Sequence, residues 1–221
     1  TGRKLSPREF MTASPDTPVI HVVDDEAPFR RSLLFLLESV GWQAAGHESG
    51  EAFLAAAPVF PVAGGCIVLD IRMPRLSGLE LQRRLLAIGS LFPVIFMTGH
   101  GDVELAVQAM KDGALDFLQK PFKDQLFLDA VERAVQVSLE RHAAQRRQDE
   151  ALEVLTRLSA REREVARLLA LGLANKEVAR LLGISDNTVH VHRQRVMDKT
   201  GTGSAADLAR LILRADPKGL D

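Results

Sequence analysis

From Val19 to about residue 136, short runs of β-branched and apolar residues alternate with amphipathic stretches, and this alternation restricts the fold more than any other feature. Strands separated by helix-length segments pair in parallel, because each crossover returns the chain to the same end of the sheet. The strand candidates are 19–23 (VIHVV), 43–48 (QAAGHE), 66–69 (CIVL), 93–97 (PVIFM) and 115–118 (LDFL). The third is apolar throughout, as suits a central strand covered on both faces, and the second has the weakest signal. Ser49, Asp102 and Ser77 are helix-cap residues by type, and Glu80, three residues after Ser77, predicts a capping box. The pattern predicts a five-stranded, parallel, doubly wound α/β unit over 18–136.

Beyond Pro121, Leu128, Val131, Val135 and Leu139 recur at helical spacing and then give way to the polar run RHAAQRRQDE. The apolar stripe stops while helix formers continue, which predicts a solvated helical linker over 137–157. Ser159 with Glu162 makes another capping box and opens a second, all-α unit over 158–221, read as four short helices. Residues 18–136 hold ten Lys/Arg against fifteen Asp/Glu, whereas 137–221 hold fifteen against twelve, so the net charge of -1 hides a basic back half suited to nucleic acid. Cys66, the only cysteine, excludes an intrachain disulfide and reads as a buried thiol. The most apolar stretch, 53–69, is broken by Pro58, Pro61, Gly64 and Gly65, which argues against a membrane span and for a cytoplasmic protein. The opening TGRKLSPREF precedes Met11 and has no apolar core, so 1–17 reads as a leader or disordered tail.

Loops at the carboxyl ends of parallel strands converge, and five polar residues fall there. Asp24 and Asp25 follow the first strand candidate, Asp70 ends the third, Thr98 follows the fourth and Lys120 the fifth. Three carboxylates packed together repel one another, and an oxygen-seeking cation such as Mg²⁺ relieves that repulsion. Lys120 and Thr98 remain to hold an anion, so the set suits formation of an aspartyl phosphate.

In the back half, two helical stretches flank GIS, where Gly183 can end one helix and Ser185 can cap the next, a helix-turn-helix pattern. On a helical wheel Val189, His192 and Val196 share the core side, while Asn187, His190, Val191 and Gln194 lie opposite, flanked by Arg193 and Arg195. Amides and imidazole suit base edges, valine a thymine methyl and arginines the phosphates. Lys176, Thr188 and Lys199 complete the predicted DNA-contact set.

VVDDE, LDIRMP, MTGHGD and FLQKPF resemble the four signature stretches of the receiver domain of bacterial two-component response regulators. LSAREREV, GLANKEVA, LGIS and TVHVH resemble the LuxR-type DNA-binding domain, so the whole chain is similar to the FixJ/NarL group, nearer FixJ by GHGD and QKPF. The resemblance implies that Asp70 accepts a phosphoryl group from a sensor histidine kinase, that Asp24, Asp25 and the Arg72 carbonyl position Mg²⁺, and that Thr98 and Lys120 contact the phosphoryl group. It implies a cis Lys120–Pro121 bond and gives Phe117 the place of the aromatic that turns inward behind Thr98, where plain core packing is the other reading. It further implies a homodimer on phosphorylation, binding to a double-stranded DNA operator and contact with RNA polymerase, as a transcription regulator that is no enzyme apart from Mg-assisted self-phosphorylation and autodephosphorylation. One departure stands out: His190 occupies a position that is Lys in many relatives, while Arg72 and His100 border the pocket, where they could slow or assist water attack. Two other readings remain at this point. Haloacid-dehalogenase-like phosphohydrolases also form an aspartyl phosphate but place a second Asp where this chain has Arg72, and a regulator could bind DNA independently of phosphorylation.

Overall fold

The computed structural model describes residues 17–56, 64–99 and 103–220. Residues 1–16 of the expected leader, the Asp102 cap and His100 lie outside the described residues. The chain divides into two units, 1–142 and 143–221.

In the first unit the elements run β1 (Val19–Val23), α1 (Ala27–Ser39), β2 (Gln43–His47), α2 (Gly50–Ala56), β3 (Gly65–Asp70), α3 (Gly78–Ala87), β4 (Val94–Thr98), α4 (Val103–Lys111), β5 (Asp116–Gln119) and the start of α5 (Asp124–Thr156). All five strands are parallel, in the order β2-β1-β3-β4-β5. Alternation along β3 explains the two layers. Cys66 and Val68 enter one core with Ile20, Val22, Ile95, Met97 and Phe127, while Ile67 and Leu69 enter the other with Phe53, Leu81 and Phe96. Each fully buried Phe contributes about 1.5–3 kcal/mol relative to exposure, so Phe127 on one face and Phe96 on the other anchor the helices to the sheet. Burial also pushes the Cys66 thiol up to about 12, which leaves it inert.

The structure shifts three strand ends in a way that bears on function. β3 begins at Gly65 and includes Asp70 itself, β4 runs on to Thr98, and β5 moves one residue to 116–119. The Ser77 hydroxyl accepts the Glu80 amide at 3.3 Å, but the Glu80 carboxylate turns to Arg84 at 3.2 Å, so only half of the expected capping box forms. Ser159 and Glu162 form theirs reciprocally.

Residues 137–157 are helical as expected but not solvated throughout. Within the first unit the buried Ser138 hydroxyl accepts the Gly65 amide at 3.1 Å, and the His142 ring meets Phe92 edge-on. Within the second, Ala151 is buried and the Gln148 amide donates to the Ala215 carbonyl at 3.0 Å. The second unit continues with α6 (Ala160–Ala170), α7 (Asn175–Leu182), α8 (Asp186–Thr200) and α9 (Ala205–Ala215), four helices around Val165, Leu169, Val178, Val189, Val196 and Leu208. Among the described residues no helix is long and apolar enough to cross a membrane.

Candidate functional site

The parallel sheet places the ends of β1, β3, β4 and β5 side by side, and this brings the predicted pocket together. One ligand oxygen each from Asp24, Asp25 and Asp70 lie within 4.8 Å of one another. Asp24 is fully buried, Asp70 nearly so, and Asp25 is exposed. Lys120 bridges the first two: its Nζ lies 2.9 Å from Asp24 Oδ2 and 3.6 Å from Asp70 Oδ2. The Lys120–Pro121 bond is cis, the Lys120 amide donates to the Thr98 carbonyl at 2.7 Å, and the ammonium sits 4.3 Å above the Phe29 ring. Those contacts fix the lysine stem while leaving its head among the carboxylates.

Burial raises the Asp70 pKa to about 6; Lys120 pulls it down, Asp24 pushes it up, the Arg72 amide lowers it and Asp25 raises it. A single ammonium therefore leaves the three acids undercompensated, and an all-oxygen donor set of this kind fits a hard divalent cation. Thr98 is buried, and its hydroxyl reaches the Gly99 carbonyl at 3.5 Å, a bond weak enough to exchange for a better acceptor. Phe117 is 43% exposed on β5, which removes core packing as its role in this conformation. Beside the carboxylates opens a cleft of about 680 Å³, lined in part by Asp25, Arg72, Met73, Pro74 and Ser77.

The second candidate site is the surface of α7 and α8. Gly183 takes a left-handed conformation (φ 65°) after α7, and the Ser185 hydroxyl caps α8 by accepting the Thr188 amide at 3.1 Å. Val189 and Val196 are buried, and His192 lies half-buried beside them. Asn187, His190, Val191, Gln194 and Arg195 are exposed, as the wheel of α8 predicts, and Lys176 on α7 is exposed as well. Four members of the predicted set are engaged within the protein: Thr188 shares a hydroxyl contact with Ser185 at 2.8 Å, Arg193 donates to Asn175 Oδ1 at 3.2 Å, Gln194 donates to Asp198 Oδ1 at 3.1 Å, and Lys199 donates to the buried Glu162 at 2.6 Å.

Two residues missing from the expected set matter here. Arg30 on α1 donates to the backbone carbonyl of Asp24, a contact with no signature in side-chain spacing. Glu162 was legible as a cap, but its capture of Lys199, 37 residues away, was not.

Residues 20–132 match the family model of the response regulator receiver domain, and 156–212 match that of the bacterial regulatory proteins, luxR family. The transcriptional regulatory protein FixJ of Azorhizobium caulinodans is 49% identical over 205 residues, covering 91% of this chain and 94% of that protein. FixJ of Rhizobium meliloti is 46% identical over 197 residues, with 88% and 94% covered. Among solved structures, the response regulator StyR has a TM-score of 0.77 at 41% identity, covering 89% of this chain and 98% of that one. Full-length FixJ from B. japonicum has a TM-score of 0.56 at 43% identity, covering 90% and 97%.

The chain therefore belongs to the response regulators, in the group that joins a receiver to a LuxR-type DNA-binding domain. Within that group it is a FixJ-like transcription regulator. A receiver domain implies a histidine kinase as partner and a LuxR-type domain implies DNA, while receivers in general bind Mg²⁺ at an acidic pocket such as the one formed by these aspartates.

Proposed function

We propose that Asp70 is the phosphoryl acceptor and that its phosphorylation switches DNA binding through dimerisation. The observation that carries this is the convergence of three carboxylates with Lys120 bridging Asp24 and Asp70 at the open end of the sheet. Asp24, Asp25, Asp70 and the Arg72 carbonyl would hold Mg²⁺, which when bound offsets the charge of the carboxylates and of the incoming phosphoryl oxygens.

One oxygen of Asp70 attacks the phosphorus of the kinase phosphohistidine. The new O–P bond forms as the donor P–N bond breaks, and the imidazole leaves with the bonding pair and takes a proton from solvent. Lys120 shifts from carboxylate to phosphoryl oxygen, and Thr98 turns its hydroxyl from the Gly99 carbonyl toward the same group. That turn opens space into which Phe117, now half-exposed, rotates. Val107 and Met110 on α4 share its exposure, and the altered α4–β5 face then meets a second copy of the chain. Two DNA-binding domains joined in this way read two half-sites of a double-stranded operator, with affinity gained through effective concentration.

On this reading 18–136 is the receiver, 137–157 the helical linker and 158–221 the DNA-binding domain of a cytoplasmic regulator, probed first as an activator that contacts RNA polymerase. Asn187, Thr188, His190, Val191 and Gln194 face bases, while Lys176, Arg193, Arg195 and Lys199 lie along the phosphates. The internal partners of Thr188, Arg193, Gln194 and Lys199 make these four the weaker contributors. The test is intact mass and sedimentation velocity of the full chain with Mg²⁺ and a small acyl-phosphate donor. Wild type should gain one phosphoryl group and dimerise, while Asp70→Asn should do neither. Equal dimerisation by the variant, or steady turnover of the donor at high rate, would overturn the reading.

A further inference from the structure

Asp24 is held at every polar atom it has. Its amide donates to the His47 carbonyl at 3.2 Å, Oδ1 accepts the Glu26 amide at 2.8 Å, Oδ2 accepts Lys120 at 2.9 Å, and its carbonyl accepts the Arg30 guanidinium. The first three partners follow from the strand end, the turn and the chemistry of the pocket. Arg30 follows from none of them.

Arg30 lies on α1 against β2, where a Cβ on Gly46 would come within 2.7 Å of Leu34 Cδ1 but only into ordinary van der Waals contact, 3.4 Å and 3.5 Å, with Cδ and Cγ of Arg30. The carbonyl that Arg30 reaches belongs to the peptide joining Asp24 to Asp25. That peptide is planar, so fixing its carbonyl fixes both ψ of Asp24 and φ of Asp25, and with them the directions of two carboxylates. A charge-assisted donor is the stronger kind for this purpose. Asp25 is exposed, so the orientation of this peptide is a means of aiming it.

We propose that Arg30 is a positioning residue for the acidic pocket: by clamping the Asp24–Asp25 peptide it aims both carboxylates at a divalent cation. The inference rests on the reading of these aspartates as cation ligands. Positioning and simple charge predict opposite signs. A nearby guanidinium repels a cation, so if charge dominated, its removal would tighten Mg²⁺ binding; if the clamp dominates, removal weakens it.

The experiment is isothermal titration of Mg²⁺ into the full chain as wild type, Arg30→Met, Arg30→Lys and Asp24→Asn. Urea unfolding in chelator, followed by Trp42 fluorescence, accompanies it as a measure of fold. Arg30→Met should bind about tenfold more weakly, the lower end for loss of a residue supporting a metal ligand, with its unfolding midpoint close to wild type. Arg30→Lys, which keeps one donor and the charge, should recover part of the loss. Equal or tighter binding by Arg30→Met would overturn the positioning role while leaving the site intact, as would a loss that merely tracks a collapse of the fold. Wild type and Asp24→Asn binding Mg²⁺ alike, or wild type failing to bind it, would overturn the site reading and the inference together.

Discussion

Replacing Asp70 by Asn removes a charge that the metal-free fold holds at a cost. Its pKa rises from 3.8 to about 6, chiefly through burial. An acid whose folded pKa lies above its unfolded value stabilises the fold in its protonated form, and that advantage is lost as pH rises between the two values. A shift of about two units corresponds to about 3 kcal/mol, of which about 2 develop between pH 4.5 and 7.5. His21 works in the opposite direction, since burial and then His47 lower its pKa to about 3, so neutral His21 favours folding as pH rises through the same range. A pH profile of wild type alone would mix the two, whereas the difference between wild type and Asp70→Asn isolates the carboxylate. Trp42 is the only tryptophan and packs against the core of the receiver, so its fluorescence during urea unfolding of the full chain reports on the receiver alone. In chelator the variant should gain on wild type by about 2 kcal/mol from pH 4.5 to 7.5. Mg²⁺ at about ten times its dissociation constant should return about 1.4 kcal/mol to wild type. A stability difference that stays constant with pH would refute the argument that desolvation of Asp70 strains the empty pocket.

Gly78→Ala should damage the same site from below, because a Cβ there would come within 2.2 Å of the Asp70 carbonyl oxygen; a loss of about 1–3 kcal/mol by Trp42 fluorescence, with slower phosphorylation, is expected. Glu162 is held down to about 2 by the Lys199 ammonium and by the Ser159 amide, so its contribution is present above the ordinary carboxylate range and is lost as pH falls toward 2. Glu162→Ala should therefore destabilise the second unit near neutral pH by about 1–3 kcal/mol, read by hydrogen exchange of α6 and α8 amides. Arg195→Gln should weaken operator and non-operator DNA alike and reduce the salt slope of binding by about one, whereas Asn187→Ala should discriminate among operator sequences, both measured by titration at several salt concentrations.

What was legible in the sequence divides along one physical line. The pocket could be read because each of its acids and its lysine lies at or within two residues of the end of an apolar run, and parallel topology brings those ends together. Chemistry placed at the ends of regular elements is visible in one dimension. The departures in α8 and in α5 concern contacts that leave no periodic trace. Lys199 sits four residues after Arg195 on a helix read as facing DNA, yet its ammonium is taken by Glu162, whose capping role had seemed complete. The docked positions of α5 escaped because they are Ser138 and Ala151, a hydroxyl and a methyl that add nothing to an apolar stripe.

Arg30 is more instructive still. Its partner is a backbone carbonyl, and every residue has one, so no spacing rule could single it out. Even the strand position its stem lies beside, Gly46, falls in the strand with the weakest sequence signal. On the proposed reading the reacting residues are placed by topology and readable from sequence, while Arg30, proposed to aim two of them, acts through one peptide plane and became visible only when α1 was laid against β2. Mutational effects at Arg30 and Asp70 should accordingly differ in kind: loss of Asp70 abolishes the phosphoryl bond, whereas loss of Arg30 leaves every reacting atom present and changes the affinity with which the pocket gathers them.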